Sequence, residues 1–274
     1  MFALLGTARK LACKKFAWLS AAAVFLGYPA CAADLAVKAP PAGVIGAPFS
    51  WNGFYIGGNA GFSHNSADFS STMVDTGTFF QPDSVALINT AGTASASATG
   101  FVGGIQAGYN WQFNGWVLGV EADFNALTGK STLSSSGVTP HATAFTLTNS
   151  LDPKWIATLR PRAGVLFGSV FLYGTGGLAI MQADYSQTFT NVLGGVPGAG
   201  GSSASLIKAG WTAGGGLEYA FANRWSVKAE YLYTKFTGFS TSGIVIQQTG
   251  ELSGLSGSTS ATFQMVRAGV NYHF

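Results

Sequence analysis

Residues 106–124 read QAGYNWQFNGWVLGVEADF, and this stretch decides the fold. At its centre, Asn114-Gly115 is a pair that tolerates the positive φ angles of a two-residue β-hairpin turn. On either side of the pair, residue types alternate with the period of two that a β-strand imposes. After the turn, Glu121 and Asp123 fall on one face, and the opposite face carries Trp116, Leu118, Val120, Ala122 and Phe124. The stretch therefore predicts an antiparallel hairpin with an apolar face and a polar face.

Eight segments with this alternation follow one another between Gly53 and Phe274. Each is about ten residues long, which is the length of a tilted strand that crosses a membrane. The short connections lie at about 113–115, 168–169 and 222–224, and the long ones at about 63–98, 126–153, 181–205 and 235–260. Long and short connections alternate, as an antiparallel barrel with both termini in the periplasm requires. The sequence therefore predicts an all-β fold, an eight-stranded antiparallel transmembrane β-barrel with four long external loops and three short periplasmic turns.

Two other architectures agree with parts of this pattern. A soluble β-sandwich also contains alternating strands, but it has no reason to keep every long loop at one end. Ten strands would result if the first long connection contained a further hairpin around Ser84–Asn89. The regular order of connection lengths favours a barrel, and the choice between eight and ten strands stays open.

The composition agrees with a membrane barrel and argues against other classes. Charged residues make up 9% of the chain, whereas a soluble globular protein carries about a quarter. Apolar residues make up 47%, which is too many for a disordered chain. A helical membrane protein would contain runs of about 20 apolar residues, and the longest candidate, Phe16–Tyr28, is shorter. An ordinary cytosolic enzyme does not fit this composition.

The first residues have the pattern of a secretory signal peptide. Four cations precede the apolar stretch Phe16–Tyr28, small residues follow it, and we expect cleavage between Ala32 and Ala33. The predicted division is a signal peptide over 1–32, a Pro-rich periplasmic lead-in over 33–50 and an outer-membrane β-barrel over 51–274. Both cysteines leave with the signal, and so do four of the 14 basic residues. The exported chain is then close to neutral, which predicts no nucleic-acid partner.

Most charges within the predicted strands fall on the face opposite the aromatic residues. These charges are Glu121, Asp123, Glu218, Glu230, Arg160, Arg162, Lys228 and Arg267, four of each sign. On a lipid-facing surface, a basic residue at mid-depth would cost roughly 2–4 kcal/mol. An eight-stranded barrel is only wide enough for its interior to be filled by side chains. The eight residues are therefore predicted to form a lumen charge network that plugs the barrel, and a narrow polar path with transiently opening pairs is the alternative.

Aromatic residues cluster near the predicted strand ends. A ring with an apolar body and a polar edge suits the boundary between bilayer and water. The predicted aromatic girdle consists of Trp111, Trp116, Trp155, Trp211, Trp225, Tyr231 and Tyr233.

The sequence lacks the common motifs of catalysis. Its three histidines have no metal-ligand spacing, and it contains neither a G-x-S-x-G elbow nor a P-loop. Adjacent cations argue against Glu121 and Asp123 as a catalytic carboxylate pair. The sequence therefore predicts a protein that is not an enzyme and that uses no cofactor and no metal.

Several motifs, in order along the chain, are similar to those of the small outer-membrane β-barrel proteins of alphaproteobacteria, often called outer-membrane immunogenic or porin-family proteins. These motifs are Ala33–Pro41, Trp51–Gly58, Gln106–Gln112, Gly119–Phe124, Tyr173–Ala179 and Lys228–Tyr233. The resemblance covers the whole predicted barrel. It implies residence in the outer membrane, contact with its lipid and a contribution to envelope integrity. Some members of the family are linked to host contact or haem binding, which would involve the loops.

The C-terminal residues resemble the signal that the barrel-assembly machinery reads during insertion. Alternating apolar residues end on Phe274, and an unpaired edge strand of this kind can be recognised by β-augmentation. By this resemblance, Tyr272 and Phe274 are assigned to recognition by the machinery.

Three functions remain open at this level. A structural envelope barrel with a plugged lumen is the main prediction. A small porin for passive diffusion of small solutes is the second. A surface receptor or adhesin that contacts haem or a host surface through the long loops is the third.

Overall fold

The structure, a computed structural model, describes residues 49–74, 79–247 and 250–274, which form nine β-strands and one α-helix. The elements are β1 Gly53–Val74, α1 Pro82–Ala91, β2 Ala94–Phe113, β3 Trp116–Leu127, β4 Ser131–Val138, β5 Ala144–Phe167, β6 Val170–Leu193, β7 Val196–Ala222, β8 Trp225–Gln247 and β9 Leu252–His273. The predicted signal peptide with Ala32 and Ala33, and the lead-in up to residue 48, lie outside the described residues.

The nine strands form one closed antiparallel ring. Their order is β3-β2-β1-β9-β8-β7-β6-β5-β4, and the additional pairing of β3 with β5 closes the sheet. β3 and β4 both pair with β5 and are successive parts of one long strand. The interruption between them contains Gly129, whose φ is 110°. The ring therefore has eight strand positions, and the predicted eight-stranded antiparallel barrel is confirmed.

The first long connection contains a helix and no further hairpin in its described part. Helix α1 has Pro82 in its first turn, where the missing N–H has no helical partner to lose. Its buried residues are Ser84 and Ile88, which face one side of the helix. The ten-stranded alternative, with a hairpin around Ser84–Asn89, is therefore wrong.

Two of the three tight turns at the periplasmic end use residues that tolerate positive φ. Asn114, between β2 and β3, has a φ of 53°, and Gly168, between β5 and β6, has a φ of 61°. Glycine adopts this conformation without a steric cost, and asparagine is among the residues that adopt it most readily.

The strands are about twice as long as the alternating apolar segments predict. β1 has 22 residues and β7 has 27, which corresponds to about 70–90 Å of strand. At a tilt of about 45° such strands rise more than about 50 Å, whereas the hydrocarbon core of a bilayer is about 30 Å thick. Most residues of the four long external segments therefore extend the barrel wall beyond the membrane. The strands appear too short in the sequence because, in this extension, serines and threonines occupy the outward positions that apolar residues occupy within the membrane.

Inward glycines allow the narrow barrel to curve tightly. A Cβ added to Gly164 of β5 would lie 1.9 Å from the carbonyl oxygen of Leu172 on β6. A Cβ added to Gly104 of β2 would lie 2.0 Å from the carbonyl oxygen of Phe124 on β3. Neighbouring backbones approach so closely at these positions that no side chain fits.

We expect Gly164→Ala to reduce the fraction of refolded barrel strongly, because β6 would have to move away from β5. The matched control is Gly115→Ala, since a Cβ at Gly115 meets no heavy atom within 4 Å. The readout is the faster migration of folded barrels on SDS gels without heating. Equal refolding of the two variants would contradict the close approach of β5 and β6.

Candidate functional site: the filled lumen

Strand alternation directs all eight predicted charged residues into the lumen. Each of them is exposed by 5% or less. They come from five strands: Glu121 and Asp123 from β3, Arg160 and Arg162 from β5, Glu218 from β7, Lys228 and Glu230 from β8, and Arg267 from β9. Residues that are distant in sequence thus meet only when the barrel closes.

Arg160 lies at the centre of this network and contacts three carboxylates. Its Nη2 lies 2.7 Å from Glu121 Oε1 and 2.8 Å from Asp123 Oδ2. Its Nη1 lies 3.2 Å from Glu230 Oε1. The guanidinium group therefore joins β3 and β8 across the lumen, and its planar set of five donors suits this role better than an ammonium group would.

The other cations pair with the same carboxylates from different directions. Arg267 Nη2 lies 2.8 Å from Asp123 Oδ2 and 2.7 Å from Glu230 Oε2. Lys228 Nζ lies 2.8 Å from Glu121 Oε1. Each of these three carboxylates consequently has at least two cationic neighbours.

Arg162 and Glu218 form the part of the network nearest the periplasmic turns. Arg162 Nη1 lies 3.0 Å from Glu218 Oε2 and 3.4 Å from Glu121 Oε2. The Arg162 guanidinium also lies 4.4 Å from the centroid of the Tyr55 ring, within the range of a cation–π contact.

Neutral groups complete the hydrogen bonding of the carboxylates. The Tyr55 hydroxyl donates to Glu121 at 2.8 Å, and the Tyr173 hydroxyl donates to Glu230 at 3.1 Å. Thr158 donates to Asp123, and Ser226 and Asn271 donate to Glu218. Each carboxylate is therefore engaged by several donors inside a filled lumen, so the arrangement suits pairing better than acid–base chemistry.

An aromatic cluster, here called the aromatic stopper, closes the periplasmic end of the lumen. Its members are Phe49, Trp51, Phe171 and His273. The Trp51 ring lies 5.4 Å from Phe171 and 5.7 Å from His273, and Phe49 lies 4.9 Å from both Trp51 and His273. The backbone N–H of Trp51 donates to Gln112 Oε1 at 2.9 Å, which fixes the chain before β1 in the opening.

Apolar side chains fill the lumen on the external side of the network. The inner apolar layer is a cluster of buried residues that includes Phe69, Leu151, Ile156, Met181, Leu232, Phe236 and Phe263. A second cluster, here called the cap, contains Ile88 of α1 together with Met73, Phe145, Leu147 and Phe189. The helix of the first external connection therefore packs inside the mouth of the barrel extension.

The seven predicted girdle residues lie on the outer face of the membrane-spanning wall. Trp111, Trp116 and Trp225 are next to the periplasmic turns, whereas Trp155, Trp211 and Tyr233 lie farther toward the external side. Neighbouring rings contact one another, as in the pair of Trp211 and Tyr233 at 5.5 Å. Tyr231 lies two residues closer to the periplasm than Tyr233 and donates its hydroxyl to Gln264.

The C-terminal residues lie at the periplasmic end of β9. The backbone N–H of Phe274 donates to the carbonyl oxygen of Phe54 at 3.0 Å, so the last residue is tied to β1. The Phe274 side chain is exposed by 71% and contacts Tyr272, with ring centroids 5.3 Å apart. Tyr272 in turn contacts Trp225 of β8.

Sequence reasoning misses the neutral partners of the network and the stopper. Tyr55 and Tyr173 have the inward parity that identifies the charges, so parity could have found them. Trp51 precedes the first strand and has no periodic signal. Its role depends on a chain path that local sequence does not encode.

In residues 49–74, 79–247 and 250–274, no group of three or more His, Cys, Asp and Glu side chains could hold a metal ion. In the same ranges, no helix is long and apolar enough to cross a membrane.

Comparison with known proteins identifies the family. The model of the outer membrane protein beta-barrel domain matches residues 30–274. The chain is 36% identical over 263 residues to the 31 kDa outer-membrane immunogenic protein of Brucella melitensis, and this alignment covers 93% of this chain and 98% of the relative. It is 32% identical over 187 residues to the 22 kDa outer membrane protein of Rhizobium leguminosarum, and this alignment covers 68% of this chain and 65% of the relative. These names describe outer-membrane proteins and no enzyme. The chain therefore belongs to the outer-membrane β-barrel family that includes these alphaproteobacterial proteins, and it resides in the outer membrane in contact with its lipid.

Proposed function

We propose that this protein is a structural, non-enzymatic component of the outer membrane whose lumen is closed. The observation that carries the proposal is the buried network of four carboxylates and four cations, in which every member contacts an opposite charge within 4 Å. A solute could cross this level only by separating such pairs. Leaving one buried partner uncompensated costs about 3–5 kcal/mol, so a separated state would be rarely populated.

Two further barriers lie in series with the network. The aromatic stopper occupies the periplasmic end, and the inner apolar layer and the cap occupy the external part of the lumen. An ion from the periplasmic end would first meet a layer of aromatic rings, in which only His273 is titratable, and an ion from the external end would first meet apolar side chains. This order of layers supports a closed barrel more strongly than the network alone.

We expect the refolded protein to give no discrete conductance steps in a planar bilayer at any salt concentration. Glu121→Gln and Arg160→Gln should remain silent as well, because the stopper and the apolar layers persist in both variants. Folding is checked in each sample by gel migration before the recording. Reproducible steps that change in the two variants would instead support the small porin that allows passive diffusion of small solutes.

A receptor or adhesin is the second candidate, and the long barrel extension favours it. The extension presents the wall of the barrel well outside the membrane, where it is accessible to a host surface or to haem. Replacement of the four long external segments, 63–98, 126–153, 181–205 and 235–260, should then abolish surface binding without affecting insertion. Retained binding after such a replacement would exclude this candidate.

A further inference from the structure

On β4 and β6, the outward residues of the barrel extension follow the same order: several hydroxyl residues and then an aliphatic residue. On β6, the outward residues after the apolar belt include Ser186, Thr188 and Thr190, and the next one is Val192. On β4, Thr132, Ser134 and Ser136 are followed by Val138. A band of hydroxyl side chains thus separates the lipid-facing belt from a second set of aliphatic residues at the end of the barrel.

These outermost aliphatic residues, here called the rim, are strongly exposed. The rim consists of Val74, Val138, Val192, Ile244, Ile246 and Leu252. Their exposed fractions lie between 45% and 64%. Single exposed aliphatic residues are common on protein surfaces, whereas exposed apolar residues that adjoin one another are candidates for an interaction site.

Strand register places four rim residues side by side. Ile246 of β8 is directly opposite Leu252 of β9. Ile244 is opposite Gly254, and Gly254 is opposite Val74 of β1. The four side chains therefore form one apolar patch across three strands. On the other side of the barrel, Val138 of β4 and Val192 of β6 are both directly opposite Ala144 of β5, which lies between them.

The rim cannot share the membrane of its own barrel. On β6, Val192 follows Ile180 of the lipid-facing belt by 12 residues, which is about 40 Å along the strand and about 28 Å along the membrane normal. The intervening outward residues are polar, among them Asp184 and the three hydroxyl residues. A second apolar level at this height faces something outside the outer membrane.

We propose that the rim inserts into the surface of a second, apposed lipid bilayer. A stable protein–protein interface needs about 800 Å² and 20–30 residues from each partner, which exceeds this patch of four side chains. Its position at the external end of the barrel presents these exposed side chains to whatever lies outside the outer membrane. The six rim side chains are uncharged, but Glu251 directly precedes Leu252, so a zwitterionic headgroup layer such as phosphatidylcholine suits this surface better than an anionic one.

Many copies in one membrane would strengthen this contact. A single weak membrane anchor gives only marginal, reversible binding. Barrels that stand in the same plane present their rims together, so each additional contact becomes effectively intramolecular. The protein would in this way contribute to adhesion between two membranes, independently of whether its lumen conducts.

The test uses the folded full barrel in phosphatidylcholine nanodiscs large enough to hold several copies each, mixed with phosphatidylcholine vesicles and separated by flotation. We expect discs with the protein to float with the vesicles and empty discs to remain below. The combined variant Ile244→Ser, Ile246→Ser and Leu252→Ser should lower the bound fraction by at least about tenfold, because these side chains lose most of their apolar transfer energy.

The matched control is Ser240→Ala, Ser242→Ala and Ser258→Ala, which changes outward residues of the same two strands below the rim. This variant should float like the parent protein. Failure of the parent to float, or equal flotation of the Ile/Leu variant, would overturn the proposal. Association of the parent barrels with one another in detergent, where no bilayer is present, would identify a second copy of the chain as the occupant and would overturn it as well. Neither result depends on conductance, so failure here leaves the closed-lumen proposal unaffected.

Discussion

Replacing Arg160 by methionine should lower the free energy of unfolding by about 3–5 kcal/mol, because a buried charge cluster loses its central cation. Methionine has a similar volume, so a packing void contributes little. The substitution leaves Glu121, Asp123 and Glu230 with one cation fewer in a region that is exposed by 5% or less. The measurement is reversible urea unfolding of the barrel in lipid vesicles.

A second substitution should restore much of this loss. In Arg160→Met with Asp123→Asn, three carboxylates and three cations remain, and every one keeps a close partner. The remaining pairs are Glu121 with Lys228 at 2.8 Å, Glu218 with Arg162 at 3.0 Å, and Glu230 with Arg267 at 2.7 Å. We therefore expect the double variant to be more stable than Arg160→Met alone. A double variant that is less stable would show that charge balance is not what Arg160 provides.

Lys154 offers a matched control outside the membrane-spanning wall. It pairs with Asp152 at 2.7 Å and with Asp184 at 3.4 Å, but its side chain is exposed by 44%. Exposed pairs contribute little to stability, since water already solvates both charges. Lys154→Met should therefore unfold at the same urea concentration as the parent. Equal effects of Lys154→Met and Arg160→Met would contradict the argument from burial.

Most of the barrel could be predicted from the sequence because lipid imposes a simple rule on each strand. Every second residue must be apolar where the wall faces acyl chains, so alternation identifies both the strands and the inward charges. Glu121 and Arg160 are found in this way although they are 39 residues apart. The pairing partners could not be predicted, since they depend on how the sheet closes and how its strands are staggered.

The parts outside the membrane escaped prediction for a related reason. Water does not require outward apolar residues, so in the extension the strands carry outward Ser and Thr and lose the signal that defines them. The Gly- and Ser-rich stretch 250–260 belongs to the predicted connection over 235–260, but most of it lies in β9. The helix α1 and the stopper residue Trp51 depend on contacts with distant strands, such as that of Trp51 with Phe171.

Replacing Phe274 by alanine should block insertion in cells while leaving the stability of the folded barrel almost unchanged. The Phe274 ring is exposed by 71%, so its removal opens no cavity, and surface changes of this kind usually stay within about 0.5 kcal/mol. Its backbone hydrogen bond to Phe54 is retained in this variant. We therefore expect normal refolding into vesicles and, in cells, accumulation in the periplasm. Deletion of Phe274 should have the same effect in cells.

Comparing refolding into vesicles with insertion in cells separates recognition by the assembly machinery from the stability of the folded barrel. Phe167→Ala is the matched control, because Phe167 is also a strongly exposed aromatic residue at the periplasmic end of a strand. It should insert normally, since it does not belong to the terminal strand that the assembly machinery would pair with by β-augmentation. Unchanged outer-membrane levels of Phe274→Ala would remove the assignment of Tyr272 and Phe274. A refolding defect in vitro would instead make Phe274 a residue that stabilises the closure between β9 and β1.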